Sequence, residues 1–139
     1  MILIAVGDEE LALAIGRLIA GEKGYALPTE TDTELRRRLH EAQPDGVILD
    51  VTIGGQRWSA MASIPRIAAV RSSPAIVLVT PRPSRAVDRA AAAWGCYDVV
   101  TRASRDDSTA RVVAAKIHEA IEWRRDRLFV GVPDGEVLH

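Results

Sequence analysis

Five short apolar runs punctuate the chain, and between most of them apolar residues recur at helical spacing. Ile2 to Val6 is apolar without a break and ends at Gly7-Asp8-Glu9. Asp45-Gly46-Val47-Ile48-Leu49-Asp50 is entered after Pro44, and Ala75 to Thr80 repeats the pattern. Short runs rich in branched residues read as strands buried on both faces, as in the middle of a parallel sheet. Tyr25-Ala26-Leu27, cut by Pro28, and Tyr97 to Thr101 complete the set. In the first connecting segment Leu11, Ala14, Ile15, Leu18 and Ile19 share a helical period, stopped by Gly24. Thr31-Asp32-Thr33-Glu34 has the form of a capping box and opens a helix with Leu35, Leu39 and Ala42 inward, ended by Pro44. Trp58 to Val70 is the third helix, which Pro65 is expected to kink or to start late. Ser84 through Asp88 caps a fourth, running over Val87, Ala91 and Trp94 to Gly95. The last carries Val113, Ile117, Ala120 and Ile121 inward, and its basic final turn (Arg124, Arg125, Arg127) suits the negative end of the helix dipole.

Strands alternating with helices imply an α/β fold, a doubly wound (βα)5 unit with a five-stranded parallel sheet covered on both faces. Residues 1–127 make that domain. In residues 128–139 the pattern breaks, and Pro133-Asp134-Gly135 is a turn signal between apolar residues. A small hairpin, an ordered tail, or a linker to a domain beyond residue 139 are the expectations there.

Composition narrows the function classes. The chain of 139 residues is 47% hydrophobic and 27% charged, as in a soluble globular domain. A net charge of −1 gives no global attraction to nucleic acid or to an anionic membrane. The single cysteine, Cys96, forms no internal disulfide and reads as an ordinary turn residue. No apolar run approaches the roughly 20 residues of a membrane span, and the start lacks a basic region before its apolar run. A cytoplasmic location is expected. His40, His118 and His139 share no metal-binding spacing. A flavodoxin-like cofactor site needs a phosphate-binding loop after the first strand, and Gly7-Asp8-Glu9-Glu10 is too acidic for a bare phosphate. No helix-turn-helix or other nucleic-acid reader is present in the pattern.

In a parallel sheet of this kind the carboxyl ends of the strands open on one crevice. Here they deliver Asp8 and Glu9, Asp50 and Thr52, Thr80, and Arg102. Two carboxylates and the Thr52 backbone carbonyl suit a hard cation such as Mg²⁺. Thr80 and Arg102 suit an anion. Acids, a hydroxyl and a fixed cation around a central Asp50 suggest phosphoryl transfer to that aspartate. A plainer reading has Asp50 capping its loop at Gly54 and Arg102 pairing with Asp50.

From Ile2 to about Arg127 the chain resembles the receiver domains of response regulators, the CheY-like family. The spacing carries the resemblance: Thr80 follows Asp50 by thirty residues and Arg102 follows it by fifty-two. The resemblance implies strand order 2-1-3-4-5 and a place in two-component signalling. It puts the phosphoacceptor on Asp50 and the hydroxyl residue on Thr80. The acid pair falls on Gly7 and Asp8, the lysine on Arg102, and the aromatic switch residue on Val99. The departures are specific. Gly7 removes one acid, with Glu9 as a partial substitute. Arg102 keeps charge without lysine's compact geometry. Val99 has no ring to swing, and Pro81 has no N–H where the family offers one to the phosphoryl group.

These departures point to an atypical receiver-like module that acts by protein–protein interaction, independently of phosphorylation and without being an enzyme. The alternative is a receiver that takes a phosphoryl group on Asp50 with Mg²⁺ held by Asp8, Asp50 and the Thr52 carbonyl, with Glu9 as a further candidate ligand. The resemblance implies a histidine kinase or downstream effector as partner, or a second copy in a homodimer through the fourth and fifth helices. Trp94, Val99 and Trp123 are the candidate interface residues, and Trp58 is placed to cover the acidic pocket.

Overall fold

The apolar runs become the strands of one parallel sheet in the computed structural model, which describes residues 1–19, 24–26, 32–52 and 57–134. In chain order the elements are β1 (Ile2–Ala5), α1 (Glu9–Leu18), β2 (Gly24–Ala26), α2 (Asp32–Ala42), β3 (Gly46–Asp50), α3 (Arg57–Ala68), β4 (Ala75–Thr80), α4 (Arg85–Ala93), β5 (Asp98–Thr101) and α5 (Asp106–Asp134). The strands lie in the order β2-β1-β3-β4-β5, and every neighbouring pair is parallel.

Alternate residues of each strand point to opposite faces, so an uninterrupted apolar run builds two cores at once. One core joins Ile2, Ile4, Ile48, Val77, Val79 and Val100 to Leu11 and Ile15 of α1 and to Val113, Ile117 and Ile121 of α5. The other joins Leu3, Ala5, Val47, Leu49, Ile76 and Leu78 to Leu35 and Leu39 of α2, Met61, Ile64 and Ile67 of α3, and Val87 and Ala91 of α4. Gly46 opens β3 beneath Ile117 and Ile121 of α5. A Cβ there would stand 2.9 Å from the Ile117 Cδ1. After α4 the chain reverses through Gly95, whose φ of 78° suits a residue without Cβ. Cys96 N–H donates to the Ala91 carbonyl at 2.9 Å and Gly95 N–H to that of Ala92 at 3.4 Å, which closes the helix in a Schellman motif.

Several boundaries differ from the sequence reading. Gly24 does not stop α1, which ends at Leu18 with Ile19 as its cap, but begins β2. Leu18 is 49% exposed, because Ile19 takes the core position at that helix end. Thr31 and Leu27 lie outside the described residues. Pro65 does not delay α3, which starts at Arg57 and continues through it to Ala68. Proline costs the helix one hydrogen bond. The helix survives because Ile64 and Ile67, on either side, are both buried. The last helix does not end near Arg127 but runs to Asp134, so no hairpin turns on Pro133 and Asp134. A single glycine such as Gly131 costs a helix only about 1 kcal/mol relative to alanine.

Candidate functional site at the carboxyl edge of the sheet

Because all the strands run one way, the segments after β1, β3, β4 and β5 emerge at one edge. Asp50 is the last residue of β3 and pairs in register with Val79, while Thr80, the last of β4, pairs with Thr101. Arg102 comes next, its N–H donating to the Thr80 carbonyl at 2.8 Å. Asp50 and Thr80 are both buried. Asp50, Thr80, Arg102 and Asp8 thus gather at this edge, as the sequence expects.

Their bonds are not those the sequence suggests. Asp50 Oδ1 accepts the Thr52 N–H at 2.9 Å and the Thr52 hydroxyl at 2.7 Å, so the carboxylate closes a local turn. That turn centres on Thr52; Gly54, with the rest of residues 53–56, lies outside the described residues. The Thr80 hydroxyl donates to the Arg82 carbonyl at 2.9 Å and so turns into its own loop. Arg102 is not paired with Asp50. One of its terminal nitrogens donates to Asp8 Oδ2 at 2.6 Å and to Asp106 Oδ1 at 2.8 Å. The other oxygen of Asp8 accepts the Leu11 N–H at 3.1 Å and caps α1. Arg102 therefore bridges the N-terminal ends of α1 and α5, where helix dipoles already favour carboxylates. Among the described residues no ion pair reaches Asp50.

The Arg102 hydrogen bond holds the Asp8 carboxyl below the usual aspartate range, and the Leu11 N–H adds to the effect. The same pair pushes the Arg102 guanidinium up. A depressed carboxyl stabilises the fold above the unfolded-state pKa of about 3.9, and that contribution disappears as pH falls through the folded value. The Asp8 side chain is 37% exposed, so solvent screens the pair. Asp8→Asn, which keeps a good helix cap, is expected to cost about 1 kcal/mol at neutral pH. The cost should shrink as pH falls through the lowered pKa of the folded state; urea unfolding of both proteins at neutral and at acid pH measures it, and an equal loss at both would mean that the ion pair contributes nothing.

Glu9 is exposed in the first turn of α1, and Thr52 is exposed. Among the described residues no group of three His, Cys, Asp or Glu side chains is placed to hold a metal ion. A Cβ on Gly7 would meet nothing within 4 Å, so the position is open rather than filled by a substitute ligand. Beyond Thr80, Pro81 brings no N–H to this edge.

The three candidate interface residues fall in two places. Trp94 and Trp123 line a groove of about 360 Å³ together with Tyr97, Arg124 and Arg127. Val99 lines a second groove of about 420 Å³ between α4 and β5, with Ala91, Cys96 and Thr101. Tyr97 borders both. Burial pushes the Cys96 thiol up to about 12, so it is protonated at neutral pH and inert as a nucleophile. Trp58 belongs to the first turn of α3, but its side chain lies outside the described residues. The sequence reading missed Asp106, which no helical spacing signals because Arg102 lies in the loop before α5. It also missed the Tyr97–Trp123 ring pair, with centroids 5.6 Å apart, which no local spacing reveals.

No family model matches the chain. No curated protein sequence matches it either. Solved structures do. A CheY-like receiver domain protein from Methanospirillum hungatei superposes with a TM-score of 0.74 at 13% identity, covering 91% of this chain and 96% of that one. A response regulator from Thermotoga maritima gives 0.66 at 15% identity, covering 84% and 96%. An orphan response regulator of H. pylori gives 0.65 at 15% identity, covering 84% and 94%. With the strand order and the edge on which Asp50, Thr80 and Arg102 meet, these superpositions establish that the chain has the fold of a response-regulator receiver domain.

Proposed function

We propose that this chain is a receiver-fold signalling module of the cytoplasm that works by binding a protein partner, without phosphorylation of Asp50 and without Mg²⁺. The observation that carries the proposal is the Arg102 guanidinium lying between Asp8 and Asp106, 2.6 and 2.8 Å from their oxygens. It stands as a fixed internal cation on the carboxylate a metal would need. A dication brought to Asp8 would meet a positive charge at contact distance, and Gly7 supplies no second acid to offset it. The group does not fit, and no step runs through it.

The anion side of the pocket supports the same reading. Arg102 is bound to two carboxylates, and the Thr80 hydroxyl is bound to the Arg82 carbonyl. Pro81 offers no donor. Each hydrogen bond to a charged group is worth about 1.5–3 kcal/mol. Loss of one transition-state donor costs on the order of 10²–10³ in rate. The module is thus a binding protein, with a histidine kinase, a downstream effector or a second copy as the partner classes that its fold suggests.

The test is incubation with a small phosphodonor and Mg²⁺, read by intact mass, beside Asp50→Ala. We expect no adduct on either protein under conditions that label an ordinary receiver fully. A phosphoryl adduct on the wild type alone would make Asp50 a working acceptor and overturn the proposal.

A further inference from the structure

The groove at the start of β4 and β5 lies away from the edge that carries Asp50. Trp94 is its wall from the end of α4, and Trp123 its wall from α5. Both are large apolar side chains left 40% and 42% exposed. Tyr97 packs against Trp123 with the planes tilted by 59°. The Arg127 guanidinium lies 4.6 Å from the centre of the Trp123 ring. Arg124 is anchored through the Ser72 carbonyl and stands 3.6 Å from Asp45. It is only 16% exposed, so its charge is preset beside the groove.

Charge and chemistry agree on what fits here. Among the described residues the charged side chains lining the groove are Arg124, which already faces Asp45, and Arg127, which has no carboxylate beside it in the lining. The chain as a whole has a net charge of −1, so this cationic lining is a local feature. Tryptophan, tyrosine and arginine together are the residue types that anchor protein interfaces. A guanidinium stacked on an aromatic ring keeps its in-plane N–H groups turned outward for carboxylates.

We propose that this groove is the docking site of an acidic protein segment, which lays an apolar or aromatic side chain between Trp94 and Trp123 and sets a carboxylate on Arg127. The inference rests on the docking function proposed above and names the chemistry of the partner. A volume of about 360 Å³ holds one or two large side chains, so the segment contributes an anchor rather than a whole domain face.

The experiment uses the full chain with ¹⁵N-labelled tryptophan and follows the indole N–H signals of Trp94 and Trp123. The probes are a short synthetic peptide of Glu, Asp, Leu and Phe, the same peptide with Lys for every acid, and single-stranded oligothymidylate. The acidic peptide is expected to shift both signals saturably, and Arg127→Glu to weaken it by about tenfold or more. Arg127→Lys, which keeps the charge but not the fork, is expected to lose less. The indole spectrum of each variant without peptide reports whether it is folded. Equal binding of the basic peptide, preference for oligothymidylate, or no saturable shift would overturn the proposal. A shift that grows with protein concentration alone would place a second copy in the groove and would also overturn it. Phosphodonor treatment of the same sample separates the two readings. Failure to bind peptide while Asp50 stays unlabelled removes the acidic partner alone. Labelling of Asp50 with peptide binding intact removes the phosphorylation-independent reading alone.

Discussion

Gly7→Asp combined with Arg102→Ala is expected to convert the carboxyl edge from an ion-paired cluster into a divalent-cation site. In the wild type the Arg102 guanidinium neutralises Asp8 and Asp106 at 2.6 and 2.8 Å. Removing it leaves two carboxylates without their cation, and an acid at position 7 adds a third on the loop after β1. A Cβ at that position meets nothing within 4 Å, so the new side chain enters without displacing a neighbour. Crowded carboxylates without a counter-charge repel one another, which destabilises the empty variant and favours a hard cation with oxygen ligands. Thermal unfolding with and without Mg²⁺ or Mn²⁺ gives the answer. The variant should gain about 2.7 kcal/mol at a metal concentration a hundred times its Kd. The wild type should gain nothing beyond the effect of matched ionic strength. A wild-type gain as large as the variant's would show that Arg102 does not exclude the metal, and the proposed function would lose its main support.

Ile48→Ala should remove about 2–5 kcal/mol of stability. Ile48 is fully buried at the centre of β3, in register with Ile4 on one side and Val77 on the other. Its side chain belongs to the core shared with α1 and α5, so truncation opens a cavity under both helices. A domain of this size has only about 5–15 kcal/mol in total, so the loss is a large fraction. The exposed Leu18→Ala makes the comparison, with an expected change within about 0.5 kcal/mol. Urea unfolding of both, with unchanged dependence on denaturant, reads the difference. If Ile48→Ala cost no more than Leu18→Ala, the two-core architecture would be wrong.

The helix ends show how far local signals reach. Gly95 was legible as a stop because a glycine in the left-handed region is a local device that needs only its own helix. Gly24 carries the same letter but lies in a strand, since pairing with Ile2 decides its conformation. Pro65 breaks a rule of local propensity and is carried by the buried residues around it. The α5 boundary was misread because Pro133-Asp134-Gly135 looks like a turn, and Pro133 does not end the helix before Asp134.

The sequence by itself determined five strands and five helices, and therefore which residues the parallel strands carry to one edge. Unbroken apolar runs and helical spacing are local patterns, and a run such as Val47-Ile48-Leu49, buried throughout, marks its strand without reference to the rest of the chain. Only the tertiary structure decided the bonding at that edge. A guanidinium can satisfy any carboxylate within reach, and Asp8, Asp50 and Asp106 all qualify by position in the sequence. The register of β1, β3 and β5 and the placing of α1 and α5 bring two of them to Arg102 and leave Asp50 to Thr52. The aromatic groove is of the same kind. Trp94, Tyr97 and Trp123 come from α4, the approach to β5, and α5, and only packing across the sheet makes them neighbours.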